Sequence, residues 1–81
     1  MKSNIISSRV GAFLRIARKE KKMTGKQLAL LMNISQQQIS RYEIGITSIT
    51  LDQLEKLLIV LDKKWSDVIK FIEESIISKE K

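Results

Sequence analysis

One stretch decides the fold of this chain: residues 24–45, which read TGKQLALLMNISQQQISRYEIG. It contains two hydroxyl-x-x-Gln patterns, Thr24 with Gln27 and Ser35 with Gln38. This spacing is typical of a capping box. In such a box the hydroxyl accepts a hydrogen bond from the first helical turn, and the Gln side chain accepts one from the cap residue's own N–H. The stretch therefore predicts two short helices, from about Gly25 to Met32 and from about Gln36 to Glu43.

Residues 33–35 are all that separates these two predicted helices. A link of this length forces a sharp turn between them. Asn33 suits the turn, because Asn adopts the left-handed backbone conformation more readily than most other non-glycine residues. Gly45 stands just past the second helix, where a glycine commonly ends a helix. The spacing predicts a helix-turn-helix over about residues 24–44.

The rest of the sequence predicts three more helices, which makes an all-α chain of five. Thr50 with Gln53 repeats the capping pattern. Ser66 followed by Asp67 predicts a further helix start, because an acid in the first turn suits the helix dipole. Proline is absent, and apolar residues recur at helical spacing. The three helices are predicted at about Ile5–Lys22, Leu51–Leu61 and Asp67–Ile77.

Apolar residues at helical spacing give each predicted helix one face toward a shared core. With 81 residues, the chain is expected to form one domain over residues 1–81. The predicted inward residues are Ile6, Val10, Phe13, Ala17, Leu28, Ala29, Met32, Ile39, Leu51, Leu54, Leu58, Leu61, Trp65, Val68, Ile69, Ile72 and Ile76.

The composition excludes several classes of protein. The sequence has no cysteine and no histidine, which removes disulfide scaffolds, zinc fingers, thiol nucleophiles and Ser-His-Asp triads. Catalysis would need paired carboxylates, and the acids fall mostly on solvent-facing helix positions, so we expect no enzyme, metal or cofactor. The longest apolar run has five residues, against about 20 for a membrane helix. With no export signal evident, we expect a cytoplasmic protein.

Charge is distributed unevenly along the chain, whose net charge is +6. Residues 1–41 hold nine Lys and Arg residues and one acid, a net charge of +8, whereas residues 42–81 carry −2. A basic half beside a weakly acidic half favours a polyanion-binding face with a separate scaffold or pairing face. The alternative is a lysine-rich surface that is merely solvated.

The second short helix is predicted to carry a polar outer stripe, because Ile39 points inward. Gln can bind adenine, and Arg guanine, through two hydrogen bonds each. A stripe of such residues on a short helix after a tight turn is what reading the major groove of DNA requires. The alternative is a merely polar helix face, since Gln and Arg are good helix formers. The residues of the stripe are Gln36, Gln37, Ser40 and Arg41.

A family resemblance adds to this interpretation. Residues 14–45, LRIARKEKKMTGKQLALLMNISQQQISRYEIG, resemble the Cro/repressor-type (Xre-like) helix-turn-helix family. The matching features include Leu14-Arg15 with Arg18, Leu28-Ala29, Ile34-Ser35, Ile39-Ser40 and Glu43-x-Gly45. The resemblance implies a five-helix Cro/repressor-like bundle that regulates transcription, often as a repressor. More narrowly, SQQQISRYE is similar to the MrpJ-type regulators of fimbrial operons, which link adhesion to repression of flagellar genes.

The resemblance also implies roles for individual residues. Gln36, Gln37 and Arg41 match the base-reading positions of the family. Arg18 and Glu43 match a structural pair that ties the first helix to the end of the third, so Arg18 is assigned to the scaffold. Ala29 and Ile39 match the close crossing of the two short helices, where a larger residue at position 29 should open the motif. The candidates for phosphate contact are Lys26, Ser40, Arg15 and Lys22.

Two positions depart from the family pattern. The family often has Gln at the first position of the second helix, where it contacts a phosphate and braces the reading helix. Gly25 stands there in this chain, so the contact is expected from its backbone N–H or from Lys26. Asn33 replaces the usual glycine between the two short helices, which is a mild change in conformation.

The expected partner is double-stranded DNA, bound by a homodimer. A short monomer reads only a few base pairs, and two-fold symmetry places half-sites about 10 bp apart. An 81-residue chain leaves no room for a separate ligand domain, so we expect no small-molecule effector. The alternative function is a helical protein-interaction module, an antitoxin or an adaptor, with only non-specific DNA affinity. The candidates for pairing are Ile59, Val60, Phe71 and Ile77.

Overall fold

The computed structural model describes residues 5–80, with side chains described for residues 5–74. Its helices are α1 (Ile5–Glu20), α2 (Gly25–Met32), α3 (Gln36–Ile44), α4 (Leu51–Leu61) and α5 (Trp65–Glu80). The predicted all-α fold of five helices is confirmed, with no strand in residues 5–80. α1 ends two residues earlier than predicted, α3 ends one residue later, and α5 extends beyond both predicted ends. No helix in this range is long and apolar enough to cross a membrane.

Hydroxyl caps start α2, α3 and α4 where the sequence predicts them. At Thr24 both bonds of the capping box form: its Oγ1 accepts from Gln27 N–H at 3.0 Å, and its N–H donates to Gln27 Oε1 at 2.8 Å. At Ser35 and Thr50 the structure has only the first bond, accepted from the backbone of Gln38 and Gln53. The helix starts are confirmed, and the complete box is confirmed only at Thr24.

The predicted start of α5 is wrong by two residues. Ser66 is not a cap but the second residue of the helix. The Asp67 carboxylate instead accepts a hydrogen bond from the backbone N–H of Lys64 at 2.8 Å, and Lys64 C=O accepts from Asp67 N–H at 3.0 Å. The carboxylate reaches back one turn, as the acceptor of a capping box does, so α5 begins at Trp65.

The core lies between α1 and the other helices. α1 packs against α3, α4 and α5, and α2 packs against α3 and α4. Phe13 of α1 and Phe71 of α5 meet edge to face, with ring centroids 5.6 Å apart. The buried apolar residues are Val10, Phe13, Leu14, Ala17, Leu28, Ala29, Ile39, Leu54, Leu57, Leu58, Leu61 and Val68.

Several predicted inward residues are on the surface instead. Ile6 and Leu51 are 53% and 73% exposed, because each lies in the first turn of its helix, beyond the packed part. Trp65 and Ile69 are exposed, because the face of α5 that packs on the core is formed by Val68, Phe71 and Ile72. Met32 and Ile72 are half-buried, and the side chain of Ile76 lies outside the described residues. Leu14 and Leu57 are buried although the predicted stripes omitted them.

The residues predicted for pairing separate into different environments. Val60 and Phe71 are half-buried and pack on the core of their own chain, which corrects the prediction that they lie off the inward faces of α4 and α5. Ile59 is 72% exposed on the outer side of α4. The side chain of Ile77 lies outside the described residues.

The last turn of α3 rests on the backbone of α1. A Cβ atom on Gly11 would clash with the carbonyl oxygen of Tyr42 and lie 2.6 Å from that of Glu43. A Cβ atom on Gly45, which is in the left-handed conformation with φ of 80°, would lie 2.7 Å from both Cα and Oγ of Ser8. At Gly11 the backbones of α1 and α3 therefore meet with no side chain between them, and this close approach positions α3 on α1.

Candidate nucleic-acid interface

The turn between α2 and α3 is a three-residue link with both helix ends capped. Asn33 ends α2 in the left-handed conformation, with φ of 59° and ψ of 42°. Ile34 N–H then donates to Ala29 C=O at 3.0 Å, which closes the end of α2. Ser35 starts α3 at once, and Gly45 ends it with φ of 80°. The predicted roles of Asn33 and Gly45 in ending their helices are confirmed.

α3 divides into a buried face and an exposed face. Ile39 is buried beside Leu28 and Ala29 of α2 in the core. Tyr42 and Glu43 are half-buried on the side that faces α1. The exposed face, called the α3 stripe below, holds Gln36, Gln37, Ser40 and Arg41. The structure thus places the three predicted base readers together on one solvent-facing side of a helix.

An ion pair fastens the end of α3 to α1. Arg18 Nε donates to Glu43 Oε2 at 2.7 Å, and Arg18 Nη2 donates to Glu43 Oε1 at 3.1 Å. Arg18 Nη1 also donates to the carbonyl oxygen of Met23 at 2.8 Å. The guanidinium therefore bridges α1, the link before α2, and α3. The bond to Glu43 holds the pKa of Arg18 above its ordinary value, so the cation persists in the folded protein.

A cleft lies beside the α3 stripe, at the start of α2. It has a volume of about 190 Å³ and brings together Arg15 of α1, Gly25 of α2, and Gln36 and Ser40 of α3. A Cβ atom on Gly25 would lie 3.8 Å from Gln36 Cγ, so the Gln36 side chain lies beside this glycine. Two predicted phosphate-contacting residues, Arg15 and Ser40, thus line the same cleft as one predicted base reader.

The other predicted phosphate-contacting residues lie apart from this cleft. Lys26 is exposed in the first turn of α2. Lys22 is in the link between α1 and α2, in the left-handed conformation with φ of 57°, and lines a separate groove with Leu30 and Leu31. The ion pairs in the described part of the chain, Arg18–Glu43 and Lys63–Glu20, involve neither lysine. The described residues hold no group of three side chains suited to a metal ion.

A helix-turn-helix family model matches residues 14–68, which is most of the chain and includes α2, the turn and α3. The chain belongs to the helix-turn-helix family. Its motif is of the Cro/repressor (Xre-like) type, which makes this helix-turn-helix protein a DNA-binding regulator of transcription. No curated protein matches the sequence.

Solved structures share the fold of this helix-turn-helix protein. One structure of the clp gene regulator ClgR from Corynebacterium glutamicum is 24% identical with a TM-score of 0.85, covering 93% of this chain and 80% of that one. A second ClgR structure is 26% identical with a TM-score of 0.81, covering 86% and 91%. A mutant of the restriction-modification controller protein C.Esp1396I is 25% identical with a TM-score of 0.79, covering 90% and 95%.

The sequence interpretation assigned no role to two residues of this helix-turn-helix protein, Gly11 and Ile44. Gly11 brings the α1 backbone against α3, and the only signal for it was an isolated glycine inside a helical pattern. Ile44 is 53% exposed at the end of α3. Its spacing of three and four residues from Arg41 and Ser40 places it on the α3 stripe, which the predicted helix end at Glu43 left out.

Proposed function

We propose that this chain is a sequence-specific transcription regulator that reads the major groove with α3. The observation that carries the proposal is the α3 stripe, which presents two Gln side chains and one Arg to solvent from a rigidly placed helix. Arg41 is assigned to guanine, and Gln36 and Gln37 are assigned to adenine. Arg15 and Ser40 in the adjoining cleft, with Lys26, are assigned to phosphates, whereas Lys22 lines a separate groove with Leu30 and Leu31.

The proposed binding unit is a homodimer. One copy of α3 reaches only a few base pairs, whereas two copies related by a two-fold axis read half-sites about 10 bp apart. Exposed apolar residues on α4 and α5 offer a surface for pairing. Those residues are Ile59, Trp65 and Ile69. ClgR, a gene regulator, and C.Esp1396I, a controller protein, share the fold, which supports a regulatory function for this chain.

The proposed target genes are fimbrial and motility operons. This part of the proposal rests on the resemblance of residues 35–43, SQQQISRYE, to MrpJ-type regulators. A genome-wide binding profile in the source cell tests it, and we expect peaks upstream of fimbrial or flagellar operons. Peaks confined to other genes would remove this target assignment while leaving DNA reading intact.

Sequence-specific reading is tested by selecting bound duplexes from a pool with about 20 randomised base pairs. We expect an enriched site with two-fold symmetry. Arg41→Lys keeps the charge but loses the two-pronged guanidinium. It should weaken binding to the selected site by roughly 5- to 150-fold, which corresponds to about 1–3 kcal/mol per base contact. Its affinity for random duplex should change little.

Lys56→Arg is the matched control, because Lys56 is an exposed cation on α4, away from the α3 stripe. It should bind the selected site as the wild type does. If no sequence is enriched, or if Arg41→Lys binds the selected site as tightly as the control, the proposal fails. The chain would then be better described by the alternative function, a helical protein-interaction module.

A further inference from the structure

A second surface lies on the outer side of α2, apart from the α3 stripe. There an open groove of about 410 Å³, called the α2 groove below, runs between the link that joins α1 to α2 and the outer face of α2. The lining residues of the α2 groove are Lys21, Lys22, Met23, Gln27, Leu30 and Leu31.

The α2 groove exposes apolar side chains that the fold does not use. α2 packs on the core through Leu28 and Ala29, whereas Leu30 and Leu31 are 73% and 62% exposed. Single exposed leucines are ordinary on protein surfaces. Two adjacent leucines and Met23 lining one concave surface are a different case, because contiguous apolar patches with polar rims mark interaction sites.

The charge at the rim of the α2 groove is positive. Lys21 and Lys22 are both exposed, and none of the six described lining residues is acidic. The neighbouring acid in sequence, Glu20, accepts from Lys63 Nζ at 2.9 Å and lies with Lys21 and Asp62 along a different groove. Gln27 is also committed, since its side-chain oxygen accepts from Thr24 N–H. An occupant therefore meets two cations and three apolar side chains.

This combination selects one kind of occupant. Leu30 and Leu31 are too exposed to enclose a small molecule, because a bound small molecule has most of its surface buried. A DNA phosphate would pair with the lysines, but it would offer the leucines no apolar surface to contact. An amphipathic helix with leucine-like anchors and acidic flanks satisfies both, because its apolar face fits a groove and its acids meet the lysines.

We propose that the α2 groove is a docking site for an acidic amphipathic helix of a protein partner. Lys26 is one turn before Leu30 on α2, so the partner would be held next to the phosphate that we assign to Lys26. The proposal does not depend on sequence-specific DNA reading, because it rests on the outer face of α2 and not on the α3 stripe.

The test uses the full chain labelled with nitrogen-15 and a designed helical peptide of about 16 residues. The peptide carries leucines at i, i+3, i+4 and i+7 and glutamates on both flanks. We expect amide shifts confined to residues that line the α2 groove, with weaker binding as salt rises. A peptide of the same composition in scrambled order should leave these amides unchanged.

Two substitutions locate the site. Leu30→Ser should weaken peptide binding by about tenfold or more, which corresponds to 1.4 kcal/mol. Leu51→Ser is the matched control, because Leu51 is another leucine that is 73% exposed and lies on α4. It should leave binding unchanged. Both leucines are exposed, so circular dichroism should show the same helix content in both variants.

Three results would overturn the proposal. The first is equal binding of the designed and scrambled peptides. The second is equal binding by Leu30→Ser and Leu51→Ser. The third is a shift of the α2 groove amides by a DNA duplex, with no response to the peptide, which would assign Lys21 and Lys22 to the nucleic acid instead.

Discussion

Arg18 acts in this molecule as a structural cation. It belongs to the basic half of the sequence, yet its guanidinium bonds Glu43 and the carbonyl of Met23 within its own chain. Both side chains of the pair are largely buried, at 12% and 7% exposed. A charge in such a place needs its partner, because an unpaired buried charge is strongly unfavourable.

Arg18→Met should lower the free energy of unfolding by about 3 kcal/mol, because it leaves the Glu43 carboxylate buried without a cation. Arg18→Met with Glu43→Leu should be more stable than the single variant, since no charge is then stranded. Urea unfolding measures both. Lys63→Met is the control, because it removes an exposed ion pair, and such pairs contribute little to stability. Equal losses in Arg18→Met and Lys63→Met would contradict the assigned role.

The pH dependence of this pair has a definite sign. The pKa of Arg18 is raised in the folded state by its hydrogen bond to Glu43. A raised pKa means that the stabilisation from Arg18 is fully present below the unfolded pKa and is lost only as the pH rises through the folded pKa. Because both values are strongly alkaline, urea unfolding between about pH 7 and pH 10 should show no loss attributable to this pair.

Among whole elements, the contact of α1 with α3 depends on Gly11. Gly11→Ala would favour α1 by helix propensity, worth about 1 kcal/mol, but its Cβ would meet two backbone oxygens that cannot move independently. We expect a net loss of stability and a displaced α3. Gly25→Ala is the contrasting variant, because its Cβ would meet only the Gln36 side chain at ordinary distance. It should gain about 0.4–1 kcal/mol.

Thermal unfolding distinguishes the two glycine variants, since the midpoint should fall for Gly11→Ala and rise for Gly25→Ala. A rise in both would mean that α1 and α3 can separate at little cost. Such a result would remove the close contact at Gly11 as the feature that positions α3.

The crossing of α2 and α3 has an equivalent requirement at Ala29. This alanine is buried in the core with Leu28 and Ile39, so Ala29→Val should overpack the crossing and lower stability by about 1–3 kcal/mol. Ala12→Val is the matched control, because Ala12 is exposed on α1. Urea unfolding should show a loss for position 29 well above that for position 12, and equal losses would show that the crossing accommodates a larger residue.

The starts of α2, α3 and α4 were predictable from the sequence, whereas the start of α5 and burial at helix ends were not. Thr24, Ser35 and Thr50 mark their helices because a cap depends on four neighbouring residues alone. Ile6 and Leu51 continue their apolar stripes, yet they are exposed because the neighbouring helices do not reach them. The clash at Gly11 depends on the carbonyls of Tyr42 and Glu43, about 30 residues away, and no local pattern reports a contact of that kind.

For the whole molecule, the basic half of the sequence is divided among different tasks. Arg18 belongs to the scaffold, Arg41 to the α3 stripe, Arg15 to the cleft, and Lys21 and Lys22 to the α2 groove. The sequence predicted the net charge of each half and the residues of the α3 stripe. The sequence did not show that Lys22 lies apart from the cleft beside the α3 stripe. Lys22 is in a left-handed turn of the link between α1 and α2, and this backbone conformation determines which groove it lines.

The salt dependence of DNA binding tests this division. If about six phosphates are neutralised, log K should fall with log salt at a slope near −5. Lys26→Gln should reduce the slope by about 2 in the proposed homodimer, because it removes one phosphate contact from each of the two copies. Lys56→Gln, on the exposed side of α4, should leave the slope unchanged. Equal slopes for wild type and Lys26→Gln would remove Lys26 from the phosphate contacts.

The backbone contact at Gly11 has a consequence for how such a protein diversifies. Because main-chain atoms set the tilt of α3, changes among the side chains of the α3 stripe leave that tilt unaltered. Duplicated copies of the gene could therefore acquire new operators by a few codon changes at positions 36, 37 and 41, with the folding stability inherited intact. The same separation would allow engineered regulators in which residues 36, 37 and 41 are replaced while the fold is kept.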